Sequence, residues 1–203
     1  MPGDTSSTPP LFAVEGTLVA LGPLERDLLP LYRRWQSALE TQLLAGFPEP
    51  LQPVTVEQTN GWYERATTGA HAIWFTIYAR DTGRPIGHCN LRDVDYMHRT
   101  AEFGITIGER DLRGRGYGAE ATSLLVDYAF TGLGLNNVML DVFEFNTAGR
   151  RAYEKAGFHE MGRRRQAHYA AGRFWDVIFM DIVAADFASP VLRKQFSRAT
   201  GQG

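Results

Sequence analysis

The hexapeptide Arg113-Gly114-Arg115-Gly116-Tyr117-Gly118 lies between a strand-like segment and a helix-like segment. Residues 102–107 before it alternate in polarity, and apolar residues after it recur with a helical period. The first turn of a helix carries backbone N–H groups without intrahelical partners and the positive end of the helix dipole, so a glycine-rich entry favours a phosphate. We expect Gly116 and Gly118 to permit positive φ and a close approach of the backbone to a ligand.

Three other motifs fit this stretch less well. A P-loop needs Lys followed by Ser or Thr after its second glycine, which the sequence lacks here. A dinucleotide fingerprint spaces its glycines as G-x-G-x-x-G, whereas these fall at every second residue; Asp141 stands near the distance of the required carboxylate, so this interpretation stays open. A disordered Arg-Gly tract that binds RNA would lack the flanking apolar structure.

The hexapeptide resembles motif A of the GNAT family of N-acetyltransferases, Q/R-x-x-G-x-G/A, through Arg113, Gly116 and Gly118. Residues 146–158 resemble the second landmark of that family, in which an Asn precedes a helix carrying a Tyr and a Gly-Phe pair leads into a strand. The resemblance covers roughly residues 15–187. Its branch with spermidine and ribosomal-protein N-acetyltransferases is the most similar.

The resemblance implies a single-domain α/β fold: a mixed central sheet of about seven strands, helices on both faces, and a splay between the central strands at 101–107 and 137–143. We expect residues 1–12 to be a disordered N-terminal segment, residues 13–187 to be the N-acetyltransferase domain, and residues 188–203 to be a C-terminal tail. Disorder is predicted around 197–203.

The resemblance also implies acetyl-CoA as acyl donor, with its pyrophosphate on the hexapeptide and its pantetheine arm along the splayed strand. Asn146 is expected to hydrogen-bond the pantetheine or a water, to cap the following helix, or both. Arg113 and Arg115 are expected to contact the phosphates, and for Arg115 a role as a solvated surface arginine is favoured equally. The expected cofactor-binding residues are Ile105, Thr106, Ile107, Arg113, Gly114, Arg115, Gly116, Tyr117, Gly118, Asn146 and Tyr153.

Two residues are expected to carry the chemistry. Tyr153 resembles the acid of the family, whose phenol protonates the departing thiolate; the alternative is an aromatic residue packed at the edge of a helix stripe formed by Ala148, Ala152 and Ala156, which faces the sheet. Glu102 is expected to deprotonate or hold the acceptor ammonium. The alternative is that Glu102 is an exposed carboxylate on a strand without a role in the reaction.

The predicted function is acetyl transfer to a primary amine of a small molecule (polyamine, antibiotic or amino-acid-like) or to a peptide N-terminus. A non-catalytic acyl-CoA sensor and a transferase of a larger acyl group such as succinyl are the alternatives. A polyamine would need several carboxylates, and those near the expected acceptor helices are interspersed with arginines. They are Glu25, Asp27, Glu40, Glu49, Glu57 and Glu64.

Composition bounds the remaining possibilities. With 203 residues, 44% hydrophobic residues and a formal net charge of −2, the chain fits one domain, and neither nucleic acid nor membrane is predicted as a partner. One cysteine, no signal-peptide pattern and no long apolar run favour a cytoplasmic location. The histidines show no metal spacing, so no metal is expected, and exposed strand edges favour a homodimer.

Periodicity and turn residues predict the remaining elements. We expect strands at 15–21, 73–80, 86–93, 102–107, 137–143, 158–168 and 173–183. Besides the helices after the hexapeptide and around Tyr153, we expect helices at 24–39, with Pro30 as a possible kink, and at 55–67, capped by Thr55.

Overall fold

The computed structural model describes residues 10–45 and 51–201. Its strands are β1 (Val14–Glu15), β2 (Val19–Gly22), β3 (Ile73–Ala79), β4 (Pro85–Asp95), β5 (Thr100–Ile107), β6 (Asn137–Phe143), β7 (His159–Ala170) and β8 (Arg173–Val183). Its α-helices are α1 (Leu29–Ser37), α2 (Leu39–Ala45), α3 (Val56–Thr68), α4 (Tyr117–Asp127), α5 (Thr147–Lys155) and α6 (Leu192–Thr200).

The strands form one mixed sheet in the order β1-β2-β3-β4-β5-β6-β8-β7. Every neighbouring pair is antiparallel except β5 and β6, which run parallel at the centre. The predicted α/β class with a mixed sheet is confirmed. The sheet has eight strands rather than about seven, because the N-terminal segment makes two short strands.

Helices cover both faces of the sheet, as neighbouring residues of β3 show. Phe75 packs edge-on against Tyr128 at the end of α4, with ring centroids 5.2 Å apart. Trp74 points to the opposite face and meets Trp62 of α3, also at 5.2 Å. Successive side chains of a strand alternate between faces, so α4 and α3 lie on opposite sides.

Helix α3 begins as its sequence predicts. The Thr55 hydroxyl accepts a hydrogen bond from the Gln58 amide at 3.2 Å, and the Gln58 side chain accepts one from the Thr55 amide at 2.9 Å. This reciprocal capping box satisfies two N–H groups at the helix start, and the predicted cap is confirmed.

The predicted strand at 15–21 and helix at 24–39 are wrong in their bounds. A turn divides the strand into β1 and β2, and the Glu120 carboxylate on α4 holds that turn by accepting the amides of Thr17, Leu18 and Val19 at 2.6–2.9 Å. The helix starts only at Leu29, after a 3₁₀ turn, because Pro30 belongs in the first turn of a helix, where its missing N–H costs nothing.

The C-terminal segment contains the helix α6, so the predicted disorder around 197–203 is wrong as far as residue 201; residues 202–203 lie outside the described residues. The N-terminal segment 1–12 was also predicted to be disordered, and its residues 1–9 lie outside the described residues. The backbone amides of Val191 and Leu192 donate to the buried carboxylate of Asp127 on α4. This contact attaches α6 to the domain.

A helix must be both long and apolar to span a membrane. Within residues 10–45 and 51–201, every helix falls short of the length and apolar character needed to cross a bilayer.

Candidate functional site

The parallel strands β5 and β6 separate in the middle of the sheet. Their ladder pairs Thr100 with Asn137, Ala101 with Val138 and Glu102 with Met139. Among the described residues it continues no further, although both strands run on for several positions. The predicted splay is confirmed, and it leaves backbone groups on both sides of the gap available to a ligand.

The hexapeptide leads into α4 beside this gap. Gly116 immediately precedes the helix with φ 92°, and Gly114 has φ 74°. The positive φ expected of Gly118 is wrong, because this residue lies inside the first helical turn; a Cβ there would make only an ordinary contact with Ile107, at 3.6 Å. No side chain in the described part of the chain caps α4, so the amides of its first turn are open to an anion.

Arg113 and Arg115 have different surroundings. The Arg113 Nε donates to the Ile107 carbonyl at 2.9 Å, and its Nη1 lies 2.9 Å from the Glu40 carboxylate of α2. Arg113 therefore ties the loop to the end of β5 and to α2. Arg115 is exposed and lines an outer groove together with Gly116.

A cleft, here called the first cleft, extends from the splay to the loop. It brings together seven of the residues that the sequence singles out: Ile105, Thr106, Ile107, Arg113, Gly118, Asn146 and Tyr153. Gly114, Arg115, Gly116 and Tyr117 lie around it without lining it, and Glu102 stands where the β5–β6 ladder ends. Thr41 and Leu44 of α2 form its far wall, and the sequence pattern gave no sign of that wall.

Helix α5 contributes Asn146 and Tyr153. The Asn146 side chain caps the helix by accepting the Gly149 amide at 2.9 Å, as expected of its N-cap role. Of the alanine stripe expected to face the sheet, Ala156 is buried, whereas Ala148 and Ala152 line the first cleft and Ala148 is exposed. Small residues on this face of α5 leave the cleft open.

The Tyr153 ring packs edge-on against Phe103 and Phe158, with centroid distances of 5.9 Å and 6.2 Å. Burial, with a smaller contribution from the nearby charge of Asp141, raises the pKa of its phenol to about 12. Tyr153 is therefore packed and also lines the first cleft. Its phenol stays protonated throughout the physiological pH range.

Glu102 belongs to a charged group that the sequence pattern did not reveal. Arg92 of β4 donates to the Glu102 carboxylate and lies 3.5 Å from Asp141 of β6. The hydrogen bond from Arg92 lowers the pKa of Glu102. Burial, opposed by the charge of Arg92, raises the pKa of Asp141. The three side chains Arg92, Glu102 and Asp141 thus form one charged group at the point where β5 and β6 separate.

A second cleft opens on the α3 face of the sheet. Trp62, Trp74 and His88 form its aromatic walls, and Gln36, Gln42 and Gln58 line it with amides. Thr41 and Thr106 line both clefts, so the two adjoin at β5. Burial lowers the pKa of His88 to about 4, so this imidazole is neutral at physiological pH.

A metal site needs several ligating side chains close together. Over residues 10–45 and 51–201, His, Cys, Asp and Glu side chains form no group of three or more that could hold an ion. The absence of a metal stays a prediction.

The chain is similar to known proteins. The model of the acetyltransferase (GNAT) domain family matches residues 19–159. An uncharacterized N-acetyltransferase p20 of Bacillus licheniformis is 32% identical over 56% of this chain and 64% of its own length. A spermidine N(1)-acetyltransferase of Vibrio cholerae is 33% identical over 50% of this chain and 58% of its own length. The chain thus spans about three fifths of these curated relatives.

A solved structure has the same fold. The spermidine N-acetyltransferase from Vibrio cholerae, in complex with CoA and spermine, superposes with a TM-score of 0.76 at 24% identity. The match covers 84% of this chain and 98% of that one.

Proposed function

Because the chain belongs to the GNAT acetyltransferase family, we propose that it transfers an acetyl group from acetyl-CoA to a primary amine of a small molecule or to a peptide N-terminus. The observation that carries the proposal is the separation of β5 and β6 directly beside an uncapped, glycine-led helix start. The gap offers strand backbone to an extended, amide-containing chain, and the helix start offers N–H groups to a diphosphate.

The residues around the first cleft fit acetyl-CoA. Gly114 faces open space where a Cβ would meet no atom within 4 Å, so the loop leaves room for a phosphate group. Residues 105–107 would hold the pantetheine through their main chain, and Asn146 would add a side-chain contact beside its capping bond. The cofactor supplies a reactive thioester and a thiol leaving group.

Tyr153 is proposed to donate its proton to the leaving sulfur. Its raised pKa keeps the phenol protonated but makes it a weaker acid, so its contribution depends on position: its ring contacts fix the direction of the hydroxyl. A donor fixed in this way needs little reorganisation during the reaction.

Asp141 is proposed to receive the proton of the acceptor ammonium, with Glu102 as a positioning residue. The lowered pKa of Glu102 makes it a poor base, and its bond to Arg92 fixes it in place. The raised pKa of Asp141 moves it toward the range in which a carboxylate accepts a proton efficiently.

Replacing Asp141 with asparagine should lower kcat/KM about 10- to 100-fold, less than the loss of a sole general base, because Glu102 remains beside it. The pKa of Asp141 is raised by folding, so its charge opposes folding once the pH exceeds the ordinary aspartate value. The variant should therefore be at least as stable as wild type at pH 7, and the two should converge in acid. Rates and denaturation from pH 3 to pH 8 check this, and a stability loss at pH 7 with full activity would contradict it.

Thermal shift gives the first test of cofactor binding. Acetyl-CoA and CoA at about 100 times their dissociation constants should stabilise the fold by about 2.7 kcal/mol, and ATP and NAD should have little effect. Equal shifts with ATP would contradict the assignment of the first cleft.

The function itself is tested by release of free thiol from acetyl-CoA in the presence of a panel of amines. Amine-dependent release supports the transferase. Binding of CoA without release for any amine would favour an acyl-CoA sensor instead, and faster release from succinyl-CoA would favour the larger acyl group.

The homodimer stays a prediction; its candidate surface is the exposed edge strand β7.

A further inference from the structure

We propose that the acceptor is a monoamine with a flat, apolar body, which lies in the second cleft while its nitrogen reaches past His88 to the side chain of Asn90, just behind the lining of that cleft. The proposal rests on the transferase function and names its substrate class. Four observations support it: an unpartnered buried amide, its position beside the carboxylates, the aromatic walls of the cleft, and the balance of charge around it.

The amide of Asn90 points to a ligand with N–H groups. Asn90 lies on β4 with 5% of its surface exposed, and its Oδ1 has no hydrogen-bond partner among the described residues. It lies over Gly104 of β5, where a Cβ would stand only 2.5 Å from that oxygen. A buried acceptor without a partner is costly, and a bound ammonium would supply the missing donor.

The position of Asn90 suits an acceptor nitrogen. In the β4–β5 ladder, the pair Asn90–Gly104 lies between His88–Thr106 and Arg92–Glu102. Residues two apart on a strand share a face, so the three pairs form one row. One end of the row lines the second cleft at His88 and Thr106. The other end is the ion pair of Arg92 with Glu102, about 7 Å along the strand from Gly104, and the second carboxylate, Asp141, leaves this end with more negative than positive groups.

The walls of the second cleft suit a flat ring. Trp62 and Trp74 meet at an interplanar angle of 89°, and the His88 ring centroid lies 5.6 Å from each. The neutral state of His88 adds no charge. Such walls bind an aromatic body through edge and face contacts and attract one ammonium through the indole faces.

The charges near the cleft do not suit a polyamine. Of the carboxylates expected to hold one, Glu64 is paired with Arg26 at 2.6 Å, and Glu40 with Arg110 at 3.1 Å. Of the described residues, only Glu57 and Arg65 bring full charges to the lining of the second cleft, and these are of opposite sign. Glu49 lies outside the described residues. A cation with several charges finds no matching series of carboxylates here.

The test compares acceptors at saturating acetyl-CoA. Tryptamine should have a kcat/KM about tenfold or more above that of spermidine and of propylamine. A preference for spermidine would overturn the proposal. If no amine releases thiol, the transferase function fails, and a CoA thermal shift then shows whether the first cleft still binds its ligand. If thiol is released only with peptides as acceptors, the proposed transferase function stands and the proposed monoamine acceptor is overturned.

Variants of Asn90 separate recognition from folding. Asn90→Leu should raise the KM for tryptamine about 10- to 100-fold while the thermal shift with CoA stays unchanged. Asn60→Leu, the same change on an exposed part of α3, is the matched control. Asn90→Asp should move selectivity toward spermidine by adding a charge. If both Asn90 variants bind CoA and keep the wild-type KM values, Asn90 does not receive the amine.

Discussion

Replacing Tyr153 with phenylalanine is expected to lower kcat by about 10²- to 10⁴-fold, the usual contribution of a positioned general acid. The variant loses only the hydroxyl oxygen. Its ring keeps the edge contacts with Phe103 and Phe158, so the fold and the binding of acetyl-CoA should be close to wild type. Steady-state kinetics and a CoA thermal shift measure the two effects separately.

A change of leaving group distinguishes proton donation from packing. If Tyr153 protonates the sulfur, an acetyl thioester of a more acidic thiol needs less help, and the defect of the variant should shrink. A merely structural tyrosine would give the same defect with every thioester. Because burial raises the pKa of Tyr153 to about 12, its ionisation should not contribute to any alkaline loss of activity below about pH 11.

The matched control is Tyr128→Phe at the end of α4. This residue also packs edge-on against a phenylalanine, Phe75, and burial also raises its pKa, but it lines neither cleft. Its substitution should leave kcat unchanged. Equal losses in the two variants would show that any tyrosine hydroxyl in this core matters for folding alone.

The sequence predicted the parts of the fold that depend on local signals. The strand Asn137–Phe143 and the cap at Thr55 have the predicted positions, because alternation and capping chemistry act within a few residues. The loop at Gly116 was predicted as a helix entry for the same reason. Its geometry is largely local.

Other features depend on residues far apart in the chain. Glu120 holds a turn about 100 positions away, so the division between β1 and β2 leaves no signal in residues 15–21. Arg92 and Asp141 meet only because β4, β5 and β6 are neighbours in the sheet. The second cleft likewise needs α3 packed over β3 and β4. Polarity patterns along one strand cannot predict such pairings.

Asp127 illustrates the same limit and gives the largest expected effect on stability. This carboxylate is fully buried and accepts three hydrogen bonds: from the amides of Val191 and Leu192 at 3.0 Å and 2.9 Å, and from the Thr131 hydroxyl at 2.8 Å. Alanine would leave these donors buried without an acceptor. We expect Asp127→Ala to lower the free energy of unfolding by about 3 kcal/mol and Tm by roughly 6–12 °C.

Asp127→Asn is the matched variant, because its remaining oxygen can still accept both amides while the Thr131 hydroxyl turns to accept from the new amide group. It should lose less than half as much stability as Asp127→Ala. Hydrogen exchange at Val191 and Leu192 should accelerate strongly in the alanine variant alone, since these amides depend on the carboxylate. If Asp127→Ala unfolds like wild type and exchange is unchanged, α6 is held by the packing of Leu192 and not by the hydrogen bonds to this buried carboxylate.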